Sequence, residues 1–574
     1  DPKAIGCASC HLGNPFTMDK SAAHRNMVLV SGNLSEADRT CGTSKCHPLL
    51  GDNIHASLMA SGRGMVSVDR YVFGETGSPD GHGHLSKLGK SPAQDHLRKL
   101  CASCHLAKVK TKPAPISQLS RGGGCTACHL KYGEEARAQL GMYEEKGGLP
   151  KFHPSLSLQV GSDHCFGCHS RSGRISTNYE GWHESEREPD EVPKSPGFRI
   201  LEDKRVFTRM SPDIHFERGM ECIDCHTWRE AMGDGKGYFH EEEQVEISCE
   251  DCHPVKKPHM IAREGLKEID AKIVKRRKAL GAISNFVLTS KTGLPLLNVT
   301  LDATGRVVVK GKDSGKTYHP KAPPSICTNQ IYGHDRLTCQ SCHTPWAPSC
   351  IRCHTTYSRT GMGIDHITGK RVRGRWIEEK AKMFPRQPAL GIRIKGKKET
   401  VDTFIPGMIL TIDHKDYPDT TSRKKGAVFR RLYAPTAAHT TSAKGLDCHS
   451  CHNNTLAMGL GEGLISAKEG ATKLQNMVFD PLYPARPEDG LAEDAWTGFL
   501  GERRGMVSTR VGARPLSGKE QRKVIRVGVC LSCHPANATG IKNIYRDFPA
   551  ALRGLTPQCR VPVPESSGSQ KPEK

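Results

Sequence analysis

The amino-acid sequence predicts an irregular, loop-rich fold of short helices with small β inserts, wrapped around something other than its own side chains. Three observations carry this. Only 36% of the 574 residues are hydrophobic and 6% aromatic, which is lean for a chain long enough for three or four domains. Gly (58) and Pro (36) are plentiful, so much of the backbone is turn and loop. The 24 cysteines and 28 histidines are patterned rather than scattered, which sets aside collagen-like and wholly disordered readings. The best apolar stretch, Thr403 to Ile412, contains a proline and a glycine, and no run approaches the ~18 residues of a membrane-spanning helix. The chain opens at Asp1 with no charged-then-apolar leader, as expected of an exported protein whose signal has been removed.

Ten Cys-x-x-Cys-His strings supply the thiol pairs Cys7/Cys10, Cys101/Cys104, Cys125/Cys128, Cys165/Cys168, Cys222/Cys225, Cys249/Cys252, Cys339/Cys342, Cys350/Cys353, Cys448/Cys451 and Cys530/Cys533. An eleventh site, Cys41-Gly-Thr-Ser-Lys-Cys46-His47, has four residues between its cysteines. Only Cys327 and Cys559 are left over. Two thiols followed at once by a histidine are the attachment chemistry of c-type haem. The thiols add across the porphyrin's vinyl groups, and the histidine turns under the ring to bind iron. Two intervening residues let one helical turn present all three groups; four can do so with a looped-out turn. Zinc ribbons use paired CxxC knuckles but need no histidine after each, and a disulfide framework would not space its cysteines this way eleven times.

Eleven covalent haems explain the lean composition, since they add roughly a tenth of the holoprotein's mass as flat apolar core. They also recast the charge. Formal net charge is +22, from 83 Lys plus Arg against 61 Asp plus Glu; the haem propionates bring about −2 each. Basic runs such as Lys275-Arg-Arg-Lys278, Lys395-Gly-Lys-Lys398 and Arg423-Lys-Lys425 then read as propionate partners or solvent faces, and no nucleic acid is expected.

The iron ligands on the attachment side are expected to be His11, His47, His105, His129, His169, His226, His253, His343, His354, His452 and His534. Seventeen other histidines remain, more than enough for a second imidazole at every iron. His96, His215, His240, His334 and His439 stand five to nine residues upstream of a motif, placed to reach a neighbouring haem. His24, His55, His84, His153, His183 and His414 are the next candidates. Methionine ligation would raise a potential, whereas paired histidines leave a low-spin iron with both faces filled.

The segments in chain order are an N-terminal region of five haems (1–175), a two-haem region ending in a helix (176–282), a β-rich insert (283–326), a paired-haem segment (327–358), a haem-free insert (359–438), a C-terminal two-haem region (439–559) and a tail (560–574). Apolar Ile261, Leu266, Ile269, Ile273 and Leu280 lie at helical spacing. Asn285-Phe-Val-Leu-Thr and Gly305-Arg-Val-Val-Val-Lys read as β-hairpin strands. Strand-like pieces occur at Ile392 to Lys395 and Met408 to Ile412, and Lys519 to Val529 reads as a basic helix.

Several strings resemble those of the large multihaem c-type cytochromes of metal-respiring bacteria. They are His96-Leu-Arg-Lys-Leu-Cys-Ala-Ser-Cys-His105, Cys165-Phe-Gly-Cys-His-Ser-Arg-Ser-Gly-Arg-Ile175, Gly219-Met-Glu-Cys-Ile-Asp-Cys-His226 with His240-Glu-Glu-Glu-Gln-Val after it, and the run from Cys339 to His354. The likeness covers residues 1 to 450 as a motif pattern. The wide-spaced site at Cys41 is similar to one in tetrahaem cytochromes of sulfate reducers. No CxxCK string, the active-site haem of cytochrome c nitrite reductases, is present. The resemblance implies a multihaem cytochrome c fold and a function in anaerobic respiration. Electrons would be relayed between periplasmic or quinol-linked donors and an outer-surface or extracellular acceptor such as metal oxides. It also implies an exported protein (periplasmic, outer-membrane-associated or extracellular) whose partners are other redox proteins, an outer-membrane porin or copies of itself. The rival readings are a reductase of nitrogen or sulfur oxyanions with one open haem, and a subunit of a cytochrome filament. An electron carrier with no catalytic residue is the expectation. Haem c is attached outside the cytoplasm, where disulfides persist, so Cys327 and Cys559 are expected to pair.

Overall fold

The computed structural model describes residues 6–111, 119–136, 138, 153–171, 174–324, 327, 333–350, 352–379, 383–418, 427–467, 477–481, 506–531, 534–536, 538, 539, 541 and 550. The chain divides into two compact units. The first draws on Asp1–Pro323, Tyr357–Ile377 and His414–Lys425, the second on Pro324–Thr356, Glu378–Asp413 and Gly426–Lys574.

Short helices and two- or three-stranded sheets build the first unit. Its longest described helix, Arg63–Val72, has ten residues. Gly62, at φ +57°, turns the chain into it from Leu58–Ser61; a Cβ there would lie 2.3 Å from Leu85 Cδ1, so both the left-handed backbone and the close approach require glycine. Ser91 caps Pro92–Leu100 by accepting from the Gln94 N–H, with Pro92 in the first turn where its missing N–H costs nothing. Val66, Leu85, Leu88, Leu97 and Ala102 pack between these helices, which fixes where the chain leaves for Cys101.

Farther along, the helical spacing from Ile261 to Leu280 resolves into four pieces, one of them the 3-10 turn Arg263–Gly265. Met260–Ala262 pairs antiparallel with Asn285–Val287, Glu268–Arg276 is helix, and Lys278–Leu280 is a 3-10 turn. Ile261, Leu266 and Ile273 still reach one core, with Val274, Leu280, Phe286 and Leu297. Strand and helix therefore share the apolar face that periodicity assigns to a single helix. Val299–Leu301 and Val307–Lys310 form a hairpin. Asp302 accepts from the Thr304 and Arg306 backbone N–H groups, and Gly305 takes φ +80° in the turn.

The β structure farther along the chain is larger than the small inserts expected. Seven strands make one mixed sheet: β1 (Arg352–Asp365), β2 (Lys370–Glu379), β3 (Ala389–Lys395), β4 (Lys398–Asp413), β5 (Ala427–Pro435), β6 (Met506–Ser508) and β7 (Ala513–Pro515). The sixteen-residue β4 pairs antiparallel with β3 through 398–404 and with β5 through 404–413. It pairs in parallel with the start of β1 through 409–413. Its register slips between Pro406 and Met408, where proline has no N–H for the ladder. Ile392, Phe404 and Ile412 are fully buried along the second unit's strands. Gly518–Leu531 is a fourteen-residue helix opened by a reciprocal box: Ser517 Oγ accepts from the Glu520 N–H, and Glu520 Oε2 from the Ser517 N–H. Among the described residues no helix is long and apolar enough to cross a membrane.

Candidate functional site

Each cysteine motif is first a problem of local backbone. In an α-turn residues i, i+3 and i+4 share one face, so Cys-x-x-Cys-His brings both thiols and the imidazole together only if the turn closes. It closes at Cys7, Cys125, Cys222, Cys249, Cys448 and Cys530, where the N–H of the motif histidine donates to the carbonyl of the first cysteine at 2.8–3.1 Å. The Cys165 and Cys339 motifs lie inside helices Asp163–His169 and Cys339–His343. In the wide-spaced site the His47 N–H donates to the Cys41 carbonyl at 3.1 Å, so the same closure is reached with two more residues looped out. The Cys101 motif is a series of turns after helix Pro92–Leu100.

Two motifs stand apart. Cys350 ends a strand, Ala347–Cys350, and His354 lies in β1 paired with Thr411, so extended backbone replaces the expected helical turn there. The long ladder of β4 dictates that geometry. The side chains of Cys350 and Cys353, and all of Cys533, lie outside the described residues. So does Cys559; Cys327 is exposed.

The motif histidines are oriented by their second nitrogen. Nδ1–H donates to a main-chain carbonyl in His11 (Val28, 2.7 Å), His129 (Ser157, 3.0 Å), His253 (Lys321, 2.7 Å), His343 (Ser442, 2.9 Å) and His452 (Val524, 2.9 Å). In His226 it donates to the Glu230 carboxylate. A proton held on Nδ1 puts the lone pair on Nε2, the tautomer and orientation that a metal-binding imidazole needs. Burial works in the same direction: it pushes the His105 imidazolium down to about 4 and lowers His129 and His452, favouring the neutral, ligating form.

Three motif histidines face a second histidine. Ring centroids are 5.7 Å apart for His11 and His153, 6.2 Å for His253 and His215, and 5.9 Å for His452 and His334. An imidazole nitrogen sits about 2 Å from a first-row transition metal, so two rings sharing one metal have centroids roughly 6 Å apart. His153 and His215 also hold Nδ1 on an oxygen, of Pro154 and Asp213.

The other distal candidates divide by the nitrogen they use. His96 donates Nδ1–H to Asp69 at 3.1 Å, His24 to the Lys20 carbonyl and His439 to the Ala437 carbonyl. His55 and His84 face each other at 6.3 Å, but His55 uses Nε2 on the Leu34 carbonyl and His84 accepts the Ser86 N–H on Nδ1, the opposite arrangement. His240 gives Nε2 to Asp80 at 2.8 Å. His183 is buried on Trp182–Glu184. His414 is 7% exposed, and neither ring nitrogen has a hydrogen-bond partner, a costly state that a bound metal would relieve.

Thiols of different motifs lie together. Cys41 lies beside Cys125, Cys104 beside Cys168 and Cys165 beside Cys222. Within electrostatic reach of one another are Cys10 with Cys41 and Cys46, Cys128 with Cys165, Cys225 with Cys252 and, in the second unit, Cys342 with Cys451. Among the described residues no three His, Cys, Asp or Glu side chains converge as a metal-ion shell, unlike the four-ligand arrangement of a zinc ribbon. Paired thiols on a turn, an imidazole locked to present Nε2 and a second imidazole across a gap suit a flat group held at its edge and on both faces, and c-type haem fits them. The acceptors Val28, Ser157, Lys321, Ser442 and Val524 are beyond sequence reasoning, being main-chain carbonyls remote in sequence. Glu230 is not, standing four residues after His226. Comparison with protein-family models, with curated proteins and with solved structures found no match.

Proposed function

We propose that this chain is an electron-transfer protein that holds eleven c-type haems through its paired thiols. The observation that carries the reading is the lock on Nδ1, found in six motif histidines, three of which face a second imidazole at metal-sharing distance. Haem iron supplies a one-electron redox change at each site. The protein's own part is mechanical and electrostatic. Thiols anchor one edge, Nδ1 acceptors prevent the imidazole from turning, and a second histidine denies the iron an open face.

In the first unit, thiols of successive motifs lie near one another in the order Cys7, Cys41, Cys125, Cys165, Cys222, Cys249, with Cys101 near Cys165, and this supports a series of neighbouring sites. A continuous series of sites is what a relay requires; a reductase requires one site without a second ligand. We assign the chain to anaerobic respiration outside the cytoplasm, between redox-protein donors and an outer-surface acceptor, on the strength of this series and of the motif resemblance.

Intact mass should exceed the polypeptide by eleven haems of about 0.6 kDa each. Electron paramagnetic resonance of the oxidised protein should show low-spin ferric signals only. One high-spin haem per chain, with saturable turnover of nitrite, hydroxylamine or sulfite, would overturn the relay in favour of the reductase. Thiol labelling of the denatured, unreduced protein tests the Cys327–Cys559 bridge: no reactive thiol is expected, and two would refute it.

A further inference from the structure

Among the described residues, six motif histidines have an identified Nδ1 acceptor: five use a neutral carbonyl and His226 uses a carboxylate. Its Nδ1 and Glu230 Oε2 are 2.5 Å apart. Glu230 lies on the short helix Trp228–Met232 and is 3% exposed. Its other oxygen accepts from the Glu246 and Ile247 backbone N–H groups at 2.6 and 3.1 Å, so the carboxylate is held at both ends and cannot swing away from the imidazole.

The charges around this pair are accounted for. Arg229 gives Nε to Glu246 and Nη1 to Asp270. Glu246 also takes the Thr227 hydroxyl, and Asp270 the Trp228 indole N–H. Lys312 donates to the Ile223 and His226 carbonyls, while Asp224 accepts from the Lys312 backbone N–H at 2.7 Å. None of these hydrogen bonds ends on Glu230, which is left to the imidazole and two amides.

A carboxylate pulls the Nδ1 proton harder than a carbonyl does, and the ring gains imidazolate character and basicity at Nε2. The proton stays between the two groups and none is lost. A more basic, more anionic nitrogen stabilises the more highly charged metal state. Resting on the haem reading above, we propose that Glu230 is a positioning residue that would give the haem attached at Cys222 and Cys225, with His226 on its iron, a reduction potential below that of the same site with a carbonyl-type acceptor. Cys222 lies beside Cys165, and Cys225 lies near Cys252, so the low step falls inside the series. Transit past it then depends on how reducing the donor is.

Glu230→Gln tests this in the holoprotein, because glutamine keeps the shape and one oxygen that can accept from the His226 Nδ1–H, at the cost of turning its NH2 toward the Glu246 and Ile247 N–H groups. In a spectroelectrochemical titration, one one-electron component should move upward, with a change of about tenfold or more in its reduced-to-oxidised ratio at fixed potential (about 59 mV for a one-electron couple). One low-spin ferric resonance should change its anisotropy with it. Glu230→Asp, which keeps the charge but shortens the reach, should move the same component less and serves as the measurement if the glutamine variant does not fold. Glu246→Gln removes a neighbouring buried carboxylate that does not touch His226 and should leave that component in place. A Glu230→Gln titration that overlays wild type with eleven haems present would overturn the proposal. So would an equal shift from Glu246→Gln. Peptide mapping that finds no haem on Cys222 and Cys225 of the wild type would overturn the underlying haem reading instead.

Discussion

The two units have nearly the same average number of residues per cysteine motif, yet they distribute that length differently and are built differently. Seven motifs fall in the first, from Cys7 to Cys249, and four in the second, from Cys339 to Cys530. In the first unit, intervals as short as that from His105 to Cys125 leave room for a turn, a short helix and little else. Between its crowded motifs the apolar groups are small, such as Leu34, Ile54 and Ala60, whereas larger ones form in its open stretches, such as Val66, Leu85, Leu88 and Leu97 before Cys101 and Val274, Leu280, Ile283, Phe286 and Leu297 after His253. The strands β3 to β5 come from the long interval between His354 and Cys448, where the chain has length enough to hydrogen-bond to itself. The difference teaches that spacing between motifs decides what fills the interior. On the haem reading proposed above, crowded motifs would leave the packing to the porphyrin, whereas open intervals allow a sheet.

The largest test of this contrast is to produce the chain without haem attachment. The first unit should lose amide protection throughout, whereas the paired amides of β3 and β4 should still exchange slowly. Equal loss in both units, read by hydrogen exchange, would break the comparison. Next in size is Phe286→Ala. Phe286 is fully buried in the first unit, among Val274, Leu280, Ile283 and Leu297, and the change should cost about 3–5 kcal/mol. Ile392→Val in the sheet should cost only about 0.5–1.5 kcal/mol, and chemical denaturation measures both. A Cys41→Ser/Cys46→Ser double variant should lose one haem, about 0.6 kDa by intact mass. Retention of eleven haems would show that the looped-out turn is not an attachment site.

The smallest effect concerns the box that opens helix Gly518–Leu531, which holds the Val524 carbonyl against His452. Burial alone would raise the Glu520 carboxyl, but Arg514 and the Ser517 groups overcome it and hold it at about 2. A carboxyl lowered on folding adds stability above its ordinary range, and that contribution is lost as pH falls through about 2. Ser517→Ala should cost about 1 kcal/mol at neutral pH. Glu520→Gln should flatten the acid limb of a stability–pH curve, measured by thermal unfolding.

The sequence by itself determined what depends on neighbours. A motif turn closes over four residues, or six at Cys41, and the box at Ser517 and the hairpin turn at Asp302 lie within a few residues, so their hydrogen bonds follow from local spacing. Glu230 was equally within reach, one helical turn after His226, but reading a motif only as far as its histidine passes over it. The sheet was half visible: Ile392 to Lys395 shows strand character, whereas Pro406 and Gly407 interrupt the pattern of β4, and its sixteen-residue length emerges only when β1, β3 and β5 pair with it. Tertiary structure alone decided the carbonyl partners of the motif histidines. The carbonyl acceptors lie 17 to 99 residues from the imidazoles they hold, and His153 stands 142 residues from His11. Nothing in a carbonyl's own residue type marks it as an acceptor; only the packing that brings it to an Nδ1 does.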